Sequence, residues 1–212
     1  MTKKNIINMI SKWRRRSILL RKKSLNILFA RRGECSFSPA AWMAVFSLFF
    51  LLKNNINDSY LLIVSLMIFV LLSIISLIDI EYFVIAEIPL ICLTFIASFY
   101  LFFVHQNDLQ IHLIAAIIGF FFIKFISMLY FYVRKIEAIG SGDAKLFAFA
   151  GFCLGIDGLA STLFFSLISA MLMCLIAIRA GNLKSNNEPV PFGPHLSLGI
   201  WLVWVFGPVQ IG

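Results

Sequence analysis

Two aspartates carry the chemistry that this sequence offers. Asp79 closes an apolar run from Tyr60 to Ile78, and Asp143 follows Gly140-Ser141-Gly142 at the start of another. An ionisable side chain at the edge of an apolar segment is costly and is a functional candidate by default. Taken singly, each reads equally well as a solvated carboxylate at a helix end. Two of them facing one boundary, one embedded in a glycine motif, point instead to a pair. Carboxylates brought close together do not both ionise cheaply, so one keeps its proton while the other stays charged. The charged member takes a proton from a water attacking a peptide carbonyl; the protonated member donates to the carbonyl oxygen and helps the amine leave. No covalent intermediate is required.

Competing chemistries find little support. His105, His112 and His195 have no nucleophile partner that the sequence reveals, so no Ser-His or Cys-His arrangement is expected. No H-E-x-x-H motif calls for a metal, and no cofactor is implied. Gly140 and Gly142 remove side chains just before Asp143, which lets a substrate backbone approach and lets the chain turn into the next helix. A flexible loop preceding a helix would give the same four letters.

The elements that must position these aspartates are membrane helices. The chain has 212 residues, 61% of them hydrophobic and 13% charged, with a mean hydropathy of +0.95. Soluble domains place charges on about a quarter of their positions. Apolar segments run over 37–52, 60–78, 88–104, 111–133, 144–156, 159–178 and 194–210. The expected fold is therefore an all-α polytopic bundle of six to seven transmembrane helices, with residues 37–212 as its membrane domain. The segments 37–52 and 144–156 fall short of the about 20 residues that a straight crossing needs, so they are tilted, thinned around or buried in the bundle.

Charge sets the expected orientation. Of the 18 Lys and Arg residues, 11 precede Gly33. Ile6, Ile10, Trp13, Leu19, Leu20, Ile27 and Leu28 interleave with them, so residues 1–36 read as an interfacial segment on anionic lipid headgroups and not as a nucleic-acid-binding arm. No apolar core of adequate length and no small-residue cleavage pattern follows the first basic cluster, so this segment is expected to be retained. With the N-terminus cytoplasmic, loops 53–59 and 105–110 fall outside and hold one Lys, while Arg134, Lys135, Arg179 and Lys184 fall inside. Asp79, Asp143 and the loop 182–193 then share the cytoplasmic face.

The wider sequence context is more specific than the tetrapeptide. Glu137-Ala138-Ile139-Gly140-Ser141-Gly142-Asp143-Ala144-Lys145-Leu146 resembles the E-G-M-G-x-G-D-x-K-L block of the type IV prepilin leader peptidases, a branch of the G-x-G-D membrane aspartyl proteases. Gly151, Gly155, Val190-Pro191-Phe192-Gly193-Pro194 and Gly199 resemble that family's later glycines and its P-F-G-P loop. Ile78-Asp79-Ile80-Glu81 with Ile85-Ala86-Glu87 is similar to the block around the first catalytic aspartate, although Ala86 stands where proline is usual, and Pro89 is a candidate for making the turn.

The resemblance spans about Phe37 to the end and implies a helical bundle in the bacterial inner membrane with catalytic Asp79 and Asp143. Gly140, Gly142, Lys145, Pro191, Phe192, Gly193 and Pro194 would form the motif that positions substrate. The implied substrates are prepilins or pseudopilins of a type IV pilus or type II secretion system, cut between a short basic leader and the apolar helix. Many family members also carry a cytoplasmic domain with two C-x-x-C pairs and methylate the new N-terminus. Here only Cys35 lies near that position, with Arg31-Arg32-Gly33-Glu34-Cys35 as its expected vestige, so peptidase without that domain is expected and methylation stays open.

Rival readings are a presenilin-like or signal-peptide-peptidase-like intramembrane protease, which shares G-x-G-D but has a Tyr-Asp pair and a Pro-Ala-Leu motif absent here, and a carboxylate-using transporter, which favours midplane sites between broken helices. Cys92, Cys153 and Cys174 read as packing residues. Lys124, inside the fourth apolar segment, either pairs with a carboxylate or snorkels to the interface. Lys145 either acts on a carboxylate or substrate, or meets a lipid headgroup.

The charge pattern makes a topological prediction. Reporter fusions after Asn107 are expected to report an external location and fusions after Lys184 a cytoplasmic one. A cytoplasmic 105–110 loop would overturn the assignment.

Overall fold

The computed structural model describes residues 59–104, 108–134, 140–179 and 191–209. The basic segment 1–36, the apolar segment 37–52, the boundary between them, His105, Lys135, Glu137, Lys184 and Val190 lie outside the described residues. Within them, the secondary-structure elements are five helices: α1 (Ser59–Tyr82), α2 (Glu87–Val104), α3 (Leu109–Arg134), α4 (Ser141–Arg179) and α5 (Gly193–Phe206). The all-α expectation holds.

Apolar composition drives these helices into lipid, and internal hydrogen bonding lets them stay there. Helix interiors leave no backbone group unsatisfied, and hydroxyl side chains in α1 and α2 follow suit by bonding one turn back. Ser65 donates to the Leu61 carbonyl, Ser73 to Phe69, Ser76 to Leu72 and Thr94 to Leu90, all at 2.7–2.8 Å. α1 to α4 are long and apolar enough to cross a membrane, and α5 is a shorter apolar helix. The chain is thus a multi-pass membrane protein. The described residues do not establish the expected count of six to seven crossings.

α4 contains two of the expected segments, 144–156 and 159–178, joined at Gly155, whose φ of 74° and ψ of −173° leave the helical region. A positive φ there suits a residue without a Cβ. The chain doubles back at this point. A Cβ on Gly119 of α3 would lie 2.9 Å from the Phe147 carbonyl and 3.2 Å from the Leu159 side chain, yet residues 147 and 159 of one straight helix stand about 18 Å apart. The first arm of α4 packs along α3, and the second packs along α5.

Successive segments alternate in direction. Trp204 Nε1 donates to Ser65 Oγ at 3.0 Å, while Gly193 at the other end of α5 meets Asp79. α1 and α5 are therefore antiparallel. Trp201 stacks at a tilt on Phe69, and Trp204 meets Tyr100 of α2 edge-on. Ile68, Leu72, Ile75, Leu93, Leu101, Leu146, Leu196 and Ile200 complete the shared core. Phe95, Phe121, Phe125 and Met128 face outward, as a bundle solvated by lipid requires. Lys124 is also exposed on α3, which suits snorkelling along the lipid surface and not a partner within the bundle. Of the cysteines, Cys153 is buried, Cys174 partly so, and Cys92 is exposed on α2, which corrects the expectation of uniform packing roles.

Small residues set how closely the helices approach. A Cβ at Gly151 would collide with the backbone carbonyl of Ala115, and one at Gly199 with Ser166 and the Thr162 carbonyl. Replacing Gly151 by valine is expected to cost about 1–3 kcal/mol through overpacking, read as a lowered thermal midpoint in detergent. Ile117→Val on the outward face of α3 should leave the midpoint nearly unchanged. Equal midpoints for both would contradict the α3–α4 contact.

Candidate active site

Three connections meet at one end of the bundle: the α1–α2 turn, the start of α4 and the start of α5. Asp79 lies inside α1, three residues before its last residue Tyr82, and so is not at the helix end where the apolar run suggested. Burial and hydrogen bonding hold it. Only 6% of its surface is exposed, and its Oδ2 accepts the Gly193 N–H at 2.9 Å. Gly193 opens α5, whose N-cap Phe192 makes no side-chain cap. Asp79 supplies that cap from another helix, placing negative charge at a helix N-terminus where the dipole favours it. A Cβ at Gly193 would lie 2.6 Å from Asp79 Oδ2, so the motif glycine is what admits the carboxylate.

Asp143 sits in the first turn of α4, partly open to the outside. Its Oδ2 accepts the N–H of Gly140, immediately before the helix, at 3.2 Å. This is the return half of a capping box, with aspartate in the place more often held by glutamate or glutamine. Gly142, next to Asp143, packs against Ile85 of the turn that follows α1, so the two carboxylates belong to the same end of the bundle although 64 residues separate them in sequence.

The glycines before Asp143 differ in their surroundings. A Cβ on Gly142 would lie 2.9 Å from the Cβ of Ile85, a buried residue of the α1–α2 turn. The close approach that Gly142 permits is therefore an internal one, and the side of the site left open is that of Gly140 and Ser141, both exposed. Pro89 does not make the α1–α2 turn, contrary to expectation. It lies within α2, where the first turn tolerates it, and the turn is made by residues 83–86, with Phe83 at a φ of 55°.

The remaining motif residues take distinct positions. Lys145 pairs with Glu87 at the start of α2, and both side chains are exposed. The described partner of Lys145 is thus a carboxylate of the protein. Pro191 and Phe192 lead into α5 half-buried, and Pro194 is buried in its first turn, where a missing N–H is tolerated. His112 lies at the opposite end, with Nδ1 2.8 Å from the Phe152 carbonyl. His195, however, has a hydroxyl partner that the sequence did not reveal: Ser169 Oγ stands 2.8 Å from its Nδ1. The contacts of Ile85, Glu87 and Ser169 were not foreseen, because each spans 26 or more residues of sequence, even though Ile85 and Glu87 belong to the block around Asp79. Among the described residues, no three His, Cys, Asp or Glu side chains are grouped to hold a metal ion.

The chain is 35% identical over 95 residues to a prepilin leader peptidase/N-methyltransferase of Bacillus subtilis, covering 45% of the chain and 36% of that protein. It is 30% identical over 135 residues to a protein of the same name from Pseudomonas aeruginosa, covering 62% and 45% respectively. A Burkholderia pseudomallei protein of that name is 35% identical over 100 residues, covering 47% and 32%. The matches thus span less than half the length of these curated relatives. No solved structure matches. Residues 66–178, just over half of the chain and including both aspartates, match the type IV leader peptidase family, and the chain belongs to that family.

Proposed function

We propose that the chain is an aspartic endopeptidase that removes the short basic leader from type IV prepilins or pseudopilins at the cytoplasmic boundary of the bacterial inner membrane. The observation that supports this reading is the location of Asp79 and Asp143, on different helices, at one end of a membrane bundle of the leader peptidase family. Family membership weighs for leader removal over the intramembrane-protease and transporter readings.

The geometry suits an acid and base pair. A singly protonated pair of neighbouring carboxylates supplies both a proton acceptor for water and a proton donor for the peptide carbonyl. Gly193 occupies one oxygen of Asp79, and Gly140 one oxygen of Asp143. Each side chain is thereby held in one orientation with its other oxygen left for the reaction. Burial of Asp79 and partial exposure of Asp143 direct the approach of water and peptide along the Gly140–Ser141 side. A substrate helix lying in the bilayer beside this end presents its leader junction there, and the leader's basic residues remain near anionic headgroups.

Asp79→Asn and Asp143→Asn are each expected to lower the rate of prepilin cleavage in liposomes by at least about 10²–10⁴-fold, the usual contribution of a positioned acid or base. Protein yield in the membrane should be unchanged, and the double variant should be little worse than either alone, because the pair acts as a unit. Glu81→Gln, Glu87→Gln and Glu137→Gln serve as controls and should retain most activity. Near-normal cleavage by Asp79→Asn, with loss in Glu81→Gln or Glu87→Gln, would overturn the assignment of the first acid.

A further inference from the structure

The N-terminus of α5 lacks a side-chain cap of its own, yet its first N–H must be aimed at Asp79. Two residues after Gly193, His195 leaves α5 in the direction of α4. It is only 3% exposed, and its Nδ1 lies 2.8 Å from Ser169 Oγ on the second arm of α4. The first arm of that same helix carries Asp143 in its first turn. α4 therefore touches the site twice, directly through Asp143 and indirectly through Ser169, His195 and Gly193. A buried imidazole in apolar surroundings needs a hydrogen-bond partner, so this contact is expensive to break and fixes the first turn of α5 in both depth and rotation.

From this connection we infer that Ser169 and His195 are positioning residues: their hydrogen bond ties α5 to α4 so that the Gly193 N–H holds Asp79 facing Asp143. The inference rests on the catalytic reading of the two aspartates proposed above. It involves no proton transfer by His195, whose ring makes its contact on the side of α4. The consequence is that the alignment of two carboxylates on separate helices depends on a third contact, made two residues further into α5, that touches neither of them.

The test is Ser169→Ala in the full chain, reconstituted in liposomes with a prepilin substrate. The kcat is expected to fall about tenfold, the scale of one lost hydrogen bond, with KM within about twofold. Ser169→Thr, which keeps the hydroxyl, should recover most of the loss. The carboxyl infrared band assigned to Asp79 by its disappearance in Asp79→Asn should shift in Ser169→Ala and return in Ser169→Thr. That spectroscopic readout needs no turnover, so it tests the positioning even if Asp79→Asn proves active and the catalytic reading falls. Wild-type kcat and an unmoved Asp79 band in Ser169→Ala would overturn the inference. So would a loss of kcat that comes only with a lowered thermal midpoint, leaves the band in place and is not recovered by threonine.

Discussion

A carboxylate placed against the N–H groups of a helix N-terminus, inside an apolar bundle, is the interaction on which this end of the molecule depends. It occurs twice. Asp143 caps the helix that carries it, and Asp79 caps a helix that lies 114 residues further along the chain. In a low-dielectric setting, backbone N–H groups and the aligned peptide dipoles behind them supply the stabilisation that water would otherwise give to a charged oxygen. The same contacts fix orientation. The proposed acid and base pair needs directed oxygens, and the groups that direct them are main-chain atoms that no side-chain rotation can withdraw.

The rest of the bundle makes that arrangement rigid by close approach. Helices gain little from the hydrophobic effect once all are in lipid, so packing and interhelical hydrogen bonds must hold them together. Gly151 against Ala115 and Gly199 against Thr162 and Ser166 bring backbones together along two seams, and Gly142 admits the Ile85 side chain at a third place. Trp204 bonding to Ser65 and Val209 N–H bonding to Ser161 Oγ fasten the end remote from the aspartates. The Glu87 and Lys145 pair closes the α1–α2 turn over the start of α4, but its exposure makes it a weaker constraint than the buried contacts.

Much of this was legible in the sequence, and the limit of legibility has a physical cause. Long apolar runs broken by polar loops gave the helices because the bilayer demands about 20 apolar residues per crossing whatever the fold. The GSGD motif and the PFGP motif identified the segments that meet at the site, since Gly142 and Gly193 occupy places where a Cβ would collide. A helix that is apolar on every face, however, reveals its depth without its rotation. Which side of α4 would meet α5 was therefore hidden, and with it the pairing of Ser169 with His195. Asp79 was placed at a helix end because hydropathy stops there, whereas α1 continues through the polar Glu81 to Tyr82. The proline expected to form the turn was displaced by Phe83, which takes a positive φ without being glycine. Nothing in residue type announces that conformation.

The lengths of two helices bear on the membrane itself. α5 has 14 residues, and the first arm of α4, which runs from Ser141 to the reversal at Gly155, is equally short. At about 1.5 Å per residue each reaches roughly 21 Å, well under the about 30 Å of a hydrocarbon layer. These are the helices that open at the two carboxylates, whereas α1 and α3, with 24 and 26 residues, span the full thickness. The resulting hydrophobic mismatch is relieved by drawing the lipid surface inward beside the short helices or by leaving a dent between the long ones. In either case water lies close to the aspartates without their leaving the bundle, which suits the proposed cleavage near the end of a helix that stays in the bilayer.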